Sequence, residues 1–228
     1  MIAVRKVAQL IASSHPNLDT VGSLILKKPV GNALLGLYLD SSKLNPDKFY
    51  ISWVVIPLCS PTEMVYFCDF GNLNLGIACR LTSPDGAVWN LHSQQNIELL
   101  IQLIEEKIFP VWNELSTFDG LIDFLESTTS YRNHLRLNIL ERLICLEFMH
   151  GNLQRCSQNV DKFWQTIEDC SNPIELLSYS NPYYKAMQDR VHTIQECLKI
   201  GDYTKINDLI EKSSRYSIDH LKIGSFVR

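Results

Sequence analysis

Residues 49–56 read FYISWVVI, a run that is apolar on nearly both of the faces that alternate along a β-strand. Such a strand is covered on its two faces, so we place it centrally in a sheet. Pro57 follows directly and marks its end, because proline has no backbone N–H to donate to a neighbouring strand. The sequence therefore predicts a central strand at residues 49–57.

The flanking sequence is also rich in Val, Ile, Tyr, Phe and Trp, which is typical of strands. Residues 83–86 read SPDG, a proline-nucleated turn in which Gly86 can take a positive φ. The turn lies between two apolar runs, so it predicts a hairpin and antiparallel pairing. A short helix at residues 4–12 comes before the strands. The predicted strands are residues 21–27, 33–39, 49–57, 64–68, 77–81 and 87–91.

The periodicity changes from Ser93 onward, where apolar residues recur at helical spacing. A first helix ends where Pro110 interrupts it, and a second follows at residues 118–125. Gly151 and Gly201 each lie in a helix, Gly-Asn or Gly-Asp turn, helix pattern, which indicates two αα-hairpins. The later helices are predicted at residues 135–149, 153–167, 183–200 and 203–212.

These patterns predict an α+β protein in which an antiparallel sheet flanked by helices is followed by an all-helical C-terminal half built of αα-hairpins. Two domains are expected. Residues 1–128 form the α+β domain, and residues 129–228 form a helical subdomain packed on it.

Local motifs for catalysis or cofactor binding are not evident in this sequence. The seven cysteines never fall into CxxC spacing and the six histidines form no HExxH or HxH pattern, so no metal is expected. Hydrolase elbows and glycine-rich nucleotide-binding loops are also missing. Asp69-Phe70-Gly71 spells a kinase metal-binding tripeptide, but the chain before it is too short for the other kinase motifs, and a β-turn is the better interpretation. No catalytic residue and no cofactor are assigned.

The cellular location is predicted from apolar runs and cysteines. No run approaches the roughly 20 apolar residues that a membrane-spanning helix needs, and the first residues lack the features of a signal peptide. An odd number of scattered cysteines is typical of a reducing compartment. We therefore expect a cytoplasmic protein.

Charge is segregated along the chain. Residues 93–128 contain seven Asp or Glu against one lysine, a net of −6 within a chain of net −4. At 100° per residue these carboxylates fall on the helix flanks away from the apolar stripes. An ordinary solvated face and a docking surface for a basic protein both explain this pattern. The candidate partner-binding residues are Glu98, Glu105, Glu106, Trp112, Asp119, Asp123 and Glu126, with Trp112 as the interface anchor.

Four landmarks carry a resemblance to a known class: the run from Phe49 to Leu58, the Phe70-Gly71 turn, the strand ending in Trp89, and Ile108-Phe109-Pro110 leading to Leu115-Ser116. Over roughly residues 20–127 the chain resembles uncharacterised bacterial α+β proteins that are often regarded as immunity or defence-associated. The resemblance implies a binding role and transfers no catalytic residue.

Three hypotheses follow from the sequence. The leading one is a non-enzymatic interaction protein of immunity or antitoxin type, whose acidic face covers a basic protein partner such as a toxin or effector. The alternatives are a regulatory adaptor acting through the C-terminal helical hairpins, and an enzyme with an unrecognised site in the cleft between sheet and helices. The acidity disfavours direct binding to nucleic acid.

Overall fold

A computed structural model of the chain describes residues 2–42, 44–45, 47–62, 89–90, 93–127, 133–171 and 180–227. It confirms the α+β class. The chain divides into two compact units, which we call the sheet unit and the helical unit. The sheet unit comprises Met1–Pro57, Glu63–Thr117 and Ile218–Arg228, and the helical unit comprises Leu58–Thr62 and Phe118–Ser217.

The sheet is an antiparallel meander of five strands in chain order. The predicted run at residues 21–27 forms two strands, because Gly22 takes a φ of 67° and turns the chain between them. The runs at 64–68 and 77–81 and the turn at 83–86 lie outside the described residues. The strands are β1 Leu18–Val21, β2 Leu24–Lys27, β3 Ala33–Ser41, β4 Lys48–Pro57 and β5 Trp89–Asn90.

Strand β4 confirms the prediction of a central strand, since it pairs with β3 on one side and β5 on the other. Its first residues alternate in burial, whereas every residue from Trp53 to Pro57 is buried. Its second half is therefore covered on both faces, as its unbroken apolar sequence requires.

Gly36 marks a close approach of two backbones in this sheet. It pairs with Leu26 of β2, and a Cβ atom built on it would lie 2.5 Å from the carbonyl oxygen of Ile25. We expect Gly36→Ala to lower the free energy of unfolding by about 1–3 kcal/mol, because the backbone must shift to relieve this overlap. Urea denaturation of the full chain measures the loss. Gly31→Ala is the matched control, since its Cβ would meet nothing within 4 Å; equal stability of the two variants would contradict the prediction.

The helical segment around Pro110 in the sheet unit differs from the sequence prediction. Pro110 does not end a helix. Instead, the π-helical turn Ile104–Ile108 joins α2 to α3, and Phe109 N–H donates to the Ile104 carbonyl five residues earlier. Pro110 lies in the first turn of α3, where a missing N–H costs little, so the helical path continues through the proline. The helices of this unit are α1 Ile2–Ser13, α2 Gln94–Leu103 and α3 Phe109–Glu114.

The helical unit confirms the predicted hairpins. Gly151 and Gly201 take φ values of 85° and 72° and form the turns between the paired helices. Asn181 caps the third long helix, because its side-chain oxygen accepts from Tyr183 N–H at 2.7 Å and Pro182 follows it. The helices are α4 Phe118–Ser127, α5 Asn133–Met149, α6 Leu153–Glu168, α7 Pro182–Ile200 and α8 Tyr203–Leu221. The end of α8 from Ile218 onward and the 3₁₀ turn Gly224–Phe226 that follows belong to the sheet unit.

Helix α4 belongs to the helical unit, so the chain divides after Thr117 and not at the predicted residue 128. The physical reason is burial, since Leu121, Ile122, Phe124 and Leu125 of α4 are all buried and α4 packs on α5. The segment Leu58–Thr62 also joins this unit, because Thr62 N–H donates to Ser217 Oγ at 2.8 Å.

Helix α5 forms the centre of the helical unit. Every residue from Leu137 to Phe148 is buried, and two glutamates are among them. Arg190 Nε donates to Glu141 Oε1 at 2.7 Å. Burial alone would lower the pKa of the Arg190 guanidinium, but the charge and hydrogen bond of Glu141 outweigh it and raise that pKa. Arg190 thus pairs with a buried carboxylate 49 residues away in the chain.

Candidate functional site

The six candidate carboxylates are divided between the two units. Three belong to the sheet unit and three to the helical unit, because the boundary between units falls inside the acidic segment. We therefore describe two sets separately. The first acidic surface is Glu98, Glu105 and Glu106, and the second acidic surface is Asp119, Asp123 and Glu126.

The first acidic surface lies on α2 and the π-helical turn. Its three glutamates are exposed, whereas the isoleucines and leucine of the same elements that face inward, Ile97, Leu100, Ile104 and Ile108, are buried. The predicted separation of charged and apolar flanks is confirmed here.

Among the residues that the structure describes, two glutamates of this surface accept side-chain hydrogen bonds from neutral amides alone. Gln94 Nε2 donates to Glu98 Oε1 at 3.0 Å, and Gln102 Nε2 donates to Glu106 Oε1 at 2.7 Å. An amide orients a carboxylate without cancelling its charge. Glu98 and Glu106 therefore keep their negative charge for the solvent or for a partner.

Glu105 is engaged within its own unit. Its Oε1 lies 2.8 Å from Nε2 of His15, and the His15 ring meets Phe109 edge-on with centroids 4.7 Å apart. This contact connects the end of α1 to the helix that carries Glu105. Glu105 is thus less available to a partner than its two neighbours.

The second acidic surface is more strongly paired. Arg155 forms an ion pair with Glu126, and this hydrogen bond is the largest of the effects that raise the Arg155 pKa. The Asp119 carboxylate lies 3.2 Å from His150 Nε2 but is 81% exposed. Asp123 is exposed and forms no ion pair with another described residue. Of the six candidate carboxylates, Glu98, Glu106 and Asp123 are therefore the ones that form no ion pair with another described residue.

Trp112 does not belong to either surface. Its side chain is 0% exposed, and its ring lies 5.7 Å from that of Phe109. The indole Nε1 is also buried and has no hydrogen-bond partner among the described residues. This corrects the hypothesis of an interface anchor, because a ring with no exposed area packs in the core and presents nothing to a partner.

Sequence reasoning missed the contacts of Lys27. Its Nζ donates to the Trp112 carbonyl at 3.2 Å, to Asn113 Oδ1 at 3.0 Å and to Ser116 Oγ at 2.9 Å. Burial lowers the pKa of this ammonium group. Three neutral oxygens accept from its three N–H donors, so Lys27 connects β2 to α3. No local pattern in the sequence indicates contacts between residues 85–89 positions apart.

A cavity beside Lys27 has a volume of about 80 Å³, with Asn32 and Ser116 in its wall. Small-molecule sites usually measure roughly 300–1,000 Å³. This cavity is therefore smaller than sites that hold a drug-sized ligand.

The five described cysteines, Cys59, Cys145, Cys156, Cys170 and Cys197, are all buried. Burial is the larger of two effects, with the nearby charge of Glu147, that raise the pKa of the Cys156 thiol to about 12. A thiol with such a pKa stays protonated and unreactive near neutral pH. The described cysteines thus pack as small hydrophobic residues. Cys68 and Cys79 lie outside the described residues.

Comparison with known proteins gives no match to any family model, curated protein or solved structure. The resemblance to immunity or defence-associated proteins stays a prediction. In the part of the chain that the structure describes, no three His, Cys, Asp or Glu side chains are placed to hold a metal ion. Within the same ranges, no helix combines the length and hydrophobicity needed to cross a bilayer.

Proposed function

We propose that this protein is a non-enzymatic interaction protein that binds a basic surface of a protein partner through exposed carboxylates of the acidic segment. One observation carries the proposal. Glu98, Glu106 and Asp123 are exposed and unpaired among the described residues, while the apolar residues of the same helices are buried. Three of the six candidate carboxylates therefore present a charge to the solvent that no described cation neutralises.

Electrostatics explains what such surfaces do. Complementary charge steers two proteins together and raises the association rate, and it penalises partners of the same sign. Salt screens exposed charges over about 8–10 Å, so binding of this type weakens as ionic strength rises. A partner of toxin or effector type with a basic surface fits this chemistry, in line with the resemblance noted in the sequence.

The test is comparative capture from cell extract at low ionic strength. We define an acid-surface variant that carries Glu98→Gln, Glu106→Gln and Asp123→Asn. Because these side chains are exposed, we expect its free energy of unfolding to change by less than about 0.5 kcal/mol for each substitution. Its association with the captured basic protein is expected to slow by about 10-fold or more at low salt, with little change in dissociation rate.

The matched control variant makes the same change in charge elsewhere. It carries Asp40→Asn, Asp208→Asn and Asp219→Asn, three exposed residues that form no ion pair with another described residue. A basic protein retained by the native chain and the control variant, and lost by the acid-surface variant, supports the proposal. If the acid-surface variant associates as fast as the native chain, these carboxylates are only solvated surface.

The adaptor hypothesis has a structural counterpart in the helical unit. Ile200 and Tyr203 flank the turn between α7 and α8 and are 77% and 43% exposed, and the Tyr203 ring contacts that of Phe148 at 6.1 Å. The same capture experiment separates the two functions. A partner that the acid-surface variant retains and Ile200→Ser loses would favour the adaptor.

A further inference from the structure

A groove of about 700 Å³ lies between α6 and α7 in the helical unit. On α6 its wall consists of Asp161, Trp164, Gln165 and Glu168, which recur at positions i, i+3, i+4 and i+7 and so form one stripe of that helix. His192 and Gln195 face them from α7. We call this the α6–α7 groove, and its described lining is Asp161, Trp164, Gln165, Glu168, Asp169, His192 and Gln195.

The groove is negatively charged and the charge is uncompensated. Asp161, Glu168 and Asp169 are exposed, and no Lys or Arg belongs to the described lining. None of these three carboxylates forms an ion pair with another described residue. The acidic surfaces differ, because Glu105 and Glu126 are already paired with a histidine and an arginine.

An aromatic wall accompanies these carboxylates. The Trp164 ring is partly exposed, and its edge-to-face contact with Phe163 has centroids 5.3 Å apart and planes at 85°. Phe163 is fully buried, so the core sets the orientation of the indole. The Trp164 Nε1 atom is buried without a hydrogen-bond partner among the described residues. An indole held in place next to unpaired carboxylates is a preorganised surface for a flat cation.

We propose that the α6–α7 groove binds an arginine-bearing basic peptide segment. A guanidinium group is planar, stacks on an indole face, and donates two parallel hydrogen bonds to one carboxylate. Here the stack would form on Trp164 and the paired hydrogen bonds on Asp161 or Glu168. The proposal rests on the proposed function, because it names arginine as the residue of the basic partner that this groove would bind.

The size of the groove supports a peptide as its occupant. The groove has a volume of about 700 Å³ and is open to solvent, so a peptide can lie along it. This leaves room for an arginine side chain together with its flanking backbone, whose amides can pair with Gln165 and Gln195. A lysine would fill the same space, but its ammonium group neither stacks nor forms paired hydrogen bonds. Arginine is therefore the preferred residue.

The experiment is calorimetric titration of the full chain with the peptide acetyl-Gly-Arg-Gly-Arg-Gly-amide and with its lysine counterpart. We define a groove variant that carries Asp161→Asn, Glu168→Gln and Asp169→Asn. We expect it to weaken binding of the arginine peptide by about 10-fold or more. Trp164→Leu is expected to weaken it by about 2–5-fold, as for an exposed cation–π contact, and to have less effect on the lysine peptide.

Controls decide between a site and general attraction. The control variant with Asp40→Asn, Asp208→Asn and Asp219→Asn changes the total charge as much as the groove variant does, and we expect it to bind the arginine peptide as the native chain does. The proposal is overturned if the groove variant binds like the native chain. Equal losses of affinity for the arginine peptide in the groove and control variants also overturn it. A third contradicting result is equal affinity of the native chain for the arginine and lysine peptides, together with unchanged binding by Trp164→Leu.

The outcome is separable from that of the proposed function. Suppose that the native chain binds the arginine peptide, that the groove variant does not, and that no basic partner is captured from extract. These results support the groove and reject the proposed function. Suppose instead that a basic partner is captured by the native chain and lost by the acid-surface variant, and that the native chain does not bind the arginine peptide. These results support the proposed function and reject the groove. The groove variant replaces exposed residues with isosteric ones, so its folding is checked directly by urea denaturation.

Discussion

Arg190→Met lowers the free energy of unfolding by about 3–5 kcal/mol, because it leaves the Glu141 carboxylate buried without its cation. Glu141 is 4% exposed and Arg190 is 19% exposed, so water can replace the lost partner only in part. The pair connects α5 with α7, and its loss should also loosen the packing of the helical unit. Urea denaturation of the full chain, followed by circular dichroism, measures the change.

Two further variants show whether burial is the cause. Arg215→Met breaks an ion pair whose members are 77% and 65% exposed, and we expect it to cost less than about 1 kcal/mol. The double variant Arg190→Met with Glu141→Leu removes both buried charges and should recover much of the lost stability. A single Arg190→Met variant that is as stable as Arg215→Met would contradict this account.

Trp112→Ala is expected to lower the free energy of unfolding by about 3–5 kcal/mol, since it empties the space of a fully buried indole. Trp112→Phe should cost clearly less. It keeps an aromatic ring beside Phe109 and removes the indole N–H that has no hydrogen-bond partner among the described residues. Denaturation of the three proteins side by side gives both differences.

The same variants separate a core role from an interface role. If Trp112 is a core residue, Trp112→Phe binds the captured partner with the affinity of the native chain. If Trp112→Ala instead unfolds at the same urea concentration as the native chain and loses the partner, the core role of Trp112 is contradicted.

Local patterns explain which elements the sequence predicted well. Residues 49–57 are apolar on nearly both faces of a strand, which can be read from the local sequence alone. As expected from this pattern, β4 lies in the interior of the sheet. The helices after Ser93 follow from a 3.6-residue period, and the exposure of Glu98, Glu106 and Asp123 follows from the same period. The glycine turns at Gly151 and Gly201 were also predicted, because positive φ favours glycine.

The predictions that were wrong depended on contacts between residues distant in the chain, or on a choice between two local structures that the sequence allows equally. Pro110 was expected to end a helix, yet a π-helical turn places it where its missing N–H is harmless. Trp112 was assigned to an interface because its neighbours in the sequence are acidic. The large apolar area of the indole nevertheless favours burial, and the ring lies in the core. The boundary of the helical unit moved because the apolar side of α4 packs on α5.

Composition and periodicity alone established the α+β class, the helical C-terminal half and the displayed negative charge of residues 93–128, because each depends on residues close together in the chain. Tertiary structure decided which of those charges remain unpaired. His15 meets Glu105 across 90 residues and Arg155 meets Glu126 across 29. It also brought the acidic stripe of α6 opposite α7 to form the α6–α7 groove. Pairing and enclosure depend on distances through space, which a one-dimensional pattern of residues does not contain.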